Sequence, residues 1–141
     1  MKINIDNNPK KISCLTPTIR KEGLPLVAKA LKRQTMQDFE WFIGTNIDTI
    51  TLDRILDHYG YSYVYDNFTG GFWSLNRIMN KLIDRSEGEL LVSIQDYTSF
   101  KPDSLEKFWK HYQDNKKAVV SGVGNKYTDD NWVAKVWSDP R

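Results

Sequence analysis

The sequence has little of several features that mark specialised classes of protein. Its lone cysteine, Cys14, cannot form an internal disulfide, and its two histidines, His58 and His111, have no second ligand at zinc-binding spacing. The 20 lysines and arginines nearly balance the 18 acids, which leaves a net charge of +2 and no strongly basic surface. We therefore expect no nucleic-acid partner, no zinc site and no disulfide framework.

Long apolar segments are also missing. No run approaches the roughly 18 residues that a membrane-spanning helix needs, and the first eleven residues contain no apolar core of a signal peptide. Aromatic residues make up 13% and hydrophobic residues 40% of the 141 residues, a composition that favours a folded core over disorder. We expect a soluble, cytoplasmic chain with one domain, in which Cys14 is a small buried hydrophobe and not a reactive thiol.

Apolar patterns with the period of a strand alternate with patterns that have the period of a helix. The predicted strands are 11–15, 39–44, 61–65, 90–94 and 117–122, and the predicted helices are 24–34, 51–59, 70–85 and 102–113. Helical crossovers of this length connect parallel strands. The pattern predicts an α/β domain, with a mostly parallel sheet and helices on both of its faces.

Ligands of open α/β sheets bind at the carboxyl ends of the strands, so the loops after the strands are the places to search. The first loop, "TPTIRKEG", carries two hydroxyls and two cations ahead of a helix. The second, "GTNIDT", is polar and contains Asp48, and "TGGFWSLNR" joins a glycine pair to Asn76 and Arg77. Each of these loops is either part of an anion or nucleotide site or an ordinary polar connection.

Asp96 directly follows a short apolar strand, and this position makes it the sharpest candidate. A carboxylate at the ligand-binding edge of a sheet can hold Mg²⁺ or Mn²⁺ against a diphosphate, because Mg²⁺ often uses only one or two protein carboxylates. The alternative is an aspartate that caps the turn before Pro102.

Taken in order, these segments resemble the first half of an inverting, family 2 type glycosyltransferase with the GT-A fold. The segment "KISCLTPTIRKEGLPLVAKALKRQTMQDFEWFIGT" is similar to the opening of that family. The segment "GGFWSLNRIMNKLIDRSEGELLVSIQD" resembles its glycine-led helix and the strand that carries its acidic motif, and "KPDSLEKF" resembles the helix that follows.

The resemblance implies that Asp96 binds Mn²⁺ or Mg²⁺ together with the diphosphate of a nucleotide-sugar donor. The residues that we predict to bind the nucleotide are Thr16, Pro17, Thr18, Arg20, Asn46, Asp48, Asn76 and Arg77. The implied reaction is metal-dependent transfer of the sugar to a hydroxyl of a carbohydrate or another acceptor.

The sequence departs from that family in three places. Gly44-Thr45-Asn46 replaces the paired acid that holds the base and ribose, so we expect a weak preference for uridine. The acidic motif has one carboxylate, in Gln95-Asp96-Tyr97. The family's general base lies in a later segment, and the default candidates here are the adjacent acids Asp129 and Asp130.

We therefore expect a donor-binding half that is truncated at its C-terminus and transfers no sugar at a measurable rate. An alternating apolar segment at 132–137 would leave a strand edge unprotected and favour a homodimer or a marginally stable monomer. The alternative function is a non-catalytic nucleotide- or carbohydrate-binding module. A nucleotidyltransferase is disfavoured because no glycine-rich, lysine-bearing phosphate loop follows the first strand.

Overall fold

A parallel sheet forms the centre of the computed structural model, which describes residues 10–67 and 72–116. Its four strands are β1 (Ile12–Pro17), β2 (Phe39–Thr45), β3 (Ser62–Tyr65) and β4 (Leu90–Ser93). They lie in the order β3-β2-β1-β4, and every neighbouring pair is parallel. Ile12 lies opposite both Phe39 and Leu90, so the loops after β1 and β4 leave the same edge side by side.

Helices connect the strands in the predicted alternation. They are α1 (Leu24–Lys32), which follows a 3-10 turn at Lys21–Gly23, α2 (Thr49–Leu56), α3 (Phe72–Arg85) and α4 (Ser104–Asp114). Among the described residues, no helix is long and apolar enough to cross a membrane. The predicted strands at 117–122 and 132–137, and with them the predicted region of self-association, lie outside the described residues.

The helices cover both faces of the sheet, as predicted. One face packs against α1, α2 and α4, whose buried residues there are Leu24, Val27, Ala28, Leu31, Leu52, Leu56 and Leu105. The other face packs against α3, where Ile78 and Leu82 meet Leu15 of β1 and Val64 of β3. Because successive strand residues point to opposite faces, Cys14 faces the first core; it is fully buried, as predicted for a small hydrophobe.

Two predicted boundaries are wrong for identifiable reasons. Helix α2 begins at Thr49 and not at residue 51, because Asp48 is its N-cap and accepts a hydrogen bond from the backbone N–H of Thr51 at 2.8 Å. Strand β1 continues to Pro17 although proline has no N–H to donate. The missing donor is on the side of β4, which has already ended at Ser93.

The buried side chain of Gln34 fastens the end of α1 to the start of α4. Its Nε2 donates to the carbonyl oxygen of Lys101 at 2.8 Å, and its Oε1 accepts from the N–H of Leu105 at 3.0 Å. Asp103, the N-cap residue of α4, makes no capping bond with its own side chain, so Gln34 supplies that cap from the segment that follows α1. The loop after β4 is thereby held at both ends, between the sheet and α4.

The fold leaves no room for a side chain at Gly44, where β2 passes beneath α3. A Cβ atom at this position would lie 2.6 Å from Cγ1 of Ile78 and 2.9 Å from Cδ1 of Leu82. We expect Gly44→Ala to lower the free energy of unfolding by about 1 to 3 kcal/mol, the usual cost of overpacking a core. Denaturant unfolding followed by circular dichroism measures this change.

Gly60→Ala is the matched control for that substitution. A Cβ atom at Gly60 meets nothing within 4 Å, and its backbone conformation is one that alanine adopts. Its free energy of unfolding should equal that of the parent chain or exceed it slightly. An equal loss of stability in both variants would contradict the packing of α3 on β2.

Candidate functional site

Three polar side chains meet at the carboxyl edge of the sheet, where the loops after β1 and β4 lie side by side. Thr18 Oγ1 donates to Asp96 Oδ2 at 2.6 Å, and Arg20 Nε donates to the same oxygen at 2.9 Å. Arg20 Nη2 donates to the other carboxylate oxygen, Oδ1. We call Thr18, Arg20, Asp96 and the adjacent Tyr97 the Asp96 cluster. The structure therefore brings together three of the residues predicted from the sequence.

The two charged members of the cluster differ in their exposure to solvent. The side chain of Asp96 is 6% exposed, whereas that of Arg20 is 61% exposed. A buried carboxylate is costly unless it is paired and hydrogen-bonded, and here both of its oxygens have donors. The hydrogen bond to Asp96 is the largest effect on the pKa of Arg20, which it raises above its ordinary value. Arg20 therefore stays charged.

The loop itself positions the hydroxyl of Thr18. Thr18 Oγ1 accepts from the backbone N–H of Arg20 at 2.9 Å, a local turn that Ser and Thr often make. The hydroxyl proton is then available to Asp96, whose oxygen at 2.6 Å is much nearer than the carbonyl oxygen of Arg20 at 3.2 Å. Thr18 is thus a donor oriented at the carboxylate.

Tyr97 closes the cluster in an unusual backbone conformation. Its φ of 59° lies in the left-handed region, which is unfavourable for a bulky residue and is often found at functional sites. The guanidinium of Arg20 lies over the ring, 5.0 Å from its centroid. A Cβ atom on Gly23 would lie 2.6 Å from Tyr97 Cδ2, so only glycine fits there. The ring is held between Gly23 and Arg20.

A second buried carboxylate, Asp66, was missed in the sequence analysis. It follows β3 directly, and Arg77 donates to it through Nε at 2.8 Å and Nη2 at 2.7 Å, while Lys81 Nζ lies 2.9 Å from Oδ2. The Arg77 hydrogen bonds are the main cause of a lowered pKa of Asp66. Part of the signal that selected Asp96, an acid in the loop after a predicted strand, was also present at Asp66.

Arg77, predicted to bind the nucleotide, is thus an ion-pair partner of Asp66. Its neighbour Asn76 is exposed on α3. The glycine pair that led us to both residues, Gly70 and Gly71, lies outside the described residues, as do the candidate bases Asp129 and Asp130. The binding and catalytic roles of these residues remain predictions.

The loop after β2 is arranged by local capping. Both side-chain oxygens of Asp48 bond to Thr51, through its N–H and its hydroxyl, each at 2.8 Å. The Thr51 N–H is the main cause of a lowered pKa of Asp48. Asn46 is exposed, and the hydroxyl of Tyr63 donates to the carbonyl oxygen of Ile47 at 2.7 Å. The predicted nucleotide residues of this loop therefore lie at the carboxyl edge of the sheet, with Asp48 already engaged as a helix cap.

Thr16 and Pro17 lie within β1 and not in the loop. Thr16 is fully buried, and its hydroxyl accepts from the indole N–H of Trp41 at 2.9 Å. Pro17 is half-buried at the end of the strand. No group of three or more His, Cys, Asp or Glu side chains suited to a metal occurs within 10–67 and 72–116.

This sheet, with its helices and its strand order, is the fold of the GT-A glycosyltransferases. Residues 1–349 of TarS from S. aureus match it with a TM-score of 0.62 at 16% identity, over 82% of this chain and 39% of that one. The same TarS fragment in complex with UDP matches with a TM-score of 0.57 at 16% identity, over 82% of this chain and 38% of that one.

A mannosyltransferase, PcManGT from Pyrobaculum calidifontis in complex with GDP-Man and Mn²⁺, also matches. Its TM-score is 0.61 at 14% identity, over 77% of this chain and 34% of that one. This chain therefore spans between 34% and 39% of these three structures. No protein-family model matches the sequence, and no curated protein matches it. At such low identity, the likeness establishes the fold.

The lowered pKa of Asp66 predicts how its contribution to stability depends on pH. A carboxylate whose pKa is lower in the folded state stabilises the protein above its unfolded-state pKa, near 3.9, and loses that contribution as the pH falls through the folded-state value. Asp66→Asn should therefore be less stable than the parent chain at pH 7. The difference should shrink below about pH 4. Urea unfolding at several pH values measures it.

Asp84→Asn is the control, because Asp84 is exposed on the same helix as Arg77 and Lys81. Its stability should follow that of the parent chain at every pH. A constant difference between Asp66→Asn and the parent chain down to pH 2 would contradict an ionic role for Asp66.

Proposed function

We propose that this chain is the donor-binding part of an inverting, family 2 type glycosyltransferase. The observation that carries the proposal is the Asp96 cluster: a buried carboxylate at the carboxyl edge of a parallel sheet, hydrogen-bonded by Thr18 and Arg20 from the neighbouring loop. Ligands of such sheets bind at this edge. The GT-A fold supports the class of reaction, and the sequence resemblance supports the family.

The proposed ligand is a nucleoside diphosphate sugar. Two similar structures contain GDP-Man or UDP, which are both nucleoside diphosphate compounds. Arg20 supplies a planar, permanently charged fork that matches phosphate oxygens. Pro17 at the end of β1, Asn46 and Asp48 after β2, and the α3 pair Asn76 and Arg77 remain the proposed direct contacts to the rest of the nucleotide. Thr16 is fully buried, so its proposed role is to shape the site from within β1.

The donor atoms of the Asp96 cluster suit a hard cation such as Mn²⁺ or Mg²⁺. Asp96 offers a carboxylate, and the donor diphosphate would supply further oxygens, a combination typical of Mg²⁺ sites. The position already accepts positive charge, because Arg20 occupies both carboxylate oxygens. A bound cation would neutralise the charge that develops on the leaving diphosphate.

Residues of this chain would have three roles in the reaction: to orient Asp96, to neutralise the leaving diphosphate, and to accept the proton of the acceptor hydroxyl. Thr18 orients the carboxylate of Asp96 through its hydroxyl. Arg20 brings a second positive charge to the diphosphate side of the site. Asp129 or Asp130 would take the proton from the acceptor hydroxyl as it attacks the anomeric carbon, which inverts that carbon as the nucleoside diphosphate leaves.

The alternative function is a non-catalytic module that binds a nucleotide or a carbohydrate. The observation that favours it is the single carboxylate at the ligand-binding edge of β4, with no metal-binding group of three or more acids, histidines or cysteines in the described parts of the chain. The two functions differ in turnover. Acceptor-dependent release of nucleoside diphosphate supports the transferase, whereas binding without release supports the module.

We expect Mn²⁺ to raise the affinity of the chain for a nucleoside diphosphate by about tenfold or more, the equivalent of ~1.4 kcal/mol. Asp96→Asn should abolish the rise, because the neutral amide is a poor ligand for a hard cation. Calorimetric titration of UDP and GDP, with and without Mn²⁺, measures both effects.

Asp38→Asn is the control for that titration, because Asp38 precedes β2 at the opposite edge of the sheet. It should keep the full effect of Mn²⁺. Binding that is equally tight with and without Mn²⁺ would contradict the proposed role of the metal.

The loop after β2 predicts weak discrimination between bases. Both carboxylate oxygens of Asp48 accept hydrogen bonds from Thr51, which hold the side chain as a helix cap and leave it less free to turn toward a base. We expect UDP, GDP, CDP and ADP to bind with affinities within about tenfold of one another. A response to UDP alone would show that this loop, or another, selects the base after all.

A further inference from the structure

We propose that Arg20 is an exchangeable cation of the donor site. It holds the carboxylate of Asp96 before the donor binds, and it moves to the donor's diphosphate when a divalent cation takes its place on Asp96. This inference rests on the proposed function. It adds that the divalent cation and the donor bind together and that Arg20 couples the two binding events.

The first argument is competition for the same carboxylate oxygens. Arg20 donates to both oxygens of Asp96, and Thr18 donates to one of them. A Mg²⁺ ion binds oxygen at about 2.0 to 2.1 Å, within the space and charge field that the guanidinium occupies. Two cations on one carboxylate also repel each other. A divalent cation can therefore bind Asp96 well only if Arg20 moves away.

The second argument concerns which partner moves. Asp96 is buried, and its oxygen is held by the Thr18 hydroxyl at 2.6 Å, so the carboxylate is fixed. The side chain of Arg20 is 61% exposed and lies on a loop. Because its guanidinium faces solvent, Arg20 can leave once another cation compensates the buried carboxylate. Arg20 is the movable partner.

The third argument is that Arg20 keeps a support when it leaves the carboxylate. Its guanidinium lies 5.0 Å from the centroid of the Tyr97 ring. That ring is packed against Gly23, and its backbone has the left-handed φ of 59°. An arginine that slides over a fixed aromatic face stays at the edge of the sheet. The conformation of Tyr97 thus has a role in keeping Arg20 near the diphosphate.

The exchange predicts coupling between the two ligands. A divalent cation alone must displace Arg20 without giving it another anion, so it binds weakly. A nucleoside diphosphate provides that anion, because a guanidinium bonds phosphate oxygens as readily as a carboxylate. Each ligand should therefore strengthen the binding of the other by the same factor.

The test is Mn²⁺ binding to the whole chain, measured by electron paramagnetic resonance of the free ion. Without nucleotide, Arg20→Gln should bind Mn²⁺ about tenfold more tightly than the parent chain, because a charge-assisted hydrogen bond no longer competes for Asp96. With UDP or GDP present, the same variant should lose most of the mutual strengthening. Lys21→Gln, which removes the adjacent exposed cation, should behave as the parent chain in both experiments.

Circular dichroism shows whether Arg20→Gln is folded. If it is not, Arg20→Lys provides a more conservative variant for the same measurement of Mn²⁺ affinity. Lysine keeps the charge but not the two-pronged bond, so its affinity for Mn²⁺ should fall between those of the other two chains. If neither Arg20 variant binds Mn²⁺ more tightly than the parent chain, the exchange is wrong even where Mn²⁺-dependent nucleotide binding persists. If the parent chain binds neither UDP nor GDP, the proposed function fails and the exchange with it.

Discussion

A buried carboxylate needs compensation, and this need organises the carboxyl edge of the sheet. Asp96 has almost no contact with water, so its charge is stable only with donors on both oxygens. Thr18 and Arg20 supply them from the loop after β1, and Gly23 makes room for Tyr97 beside them. The conformations of two loops and a 3-10 turn therefore depend on one charge.

The same constraint appears a second time at this edge. Asp66 follows β3 as Asp96 follows the end of β4, and it is compensated by Arg77 and Lys81 from α3. In both clusters the acid is buried and the cations are largely exposed. The exposed cations leave positive charge on the solvent side of both clusters. Each acid thus fixes a cation at the carboxyl edge of the sheet.

Most of the fold could be predicted because local pattern and global architecture agree. Alternating strand and helix periods predicted a parallel sheet covered on both faces, and the sheet of β1 to β4 confirms it. The predicted ends of helices were wrong where a hydrogen bond to a side chain, and not the apolar period, sets the end of the helix. Asp48 starts α2 earlier than predicted, and Gln34 caps α4 from the end of α1, a contact over 71 positions. A contact between residues so far apart in the sequence leaves no pattern in the residues around either of them.

The sequence by itself determined the order of strands and helices along the chain, and it placed an acid in the loop that follows β4. Only the tertiary structure decided which residues pair with that acid. Asp96 and Arg20 are 76 positions apart in the sequence, and they meet because β1 and β4 are neighbours in the sheet. It likewise decided that Arg77 faces Asp66. Period and composition are local properties of a chain, whereas the partner of a buried charge depends on which strands lie side by side.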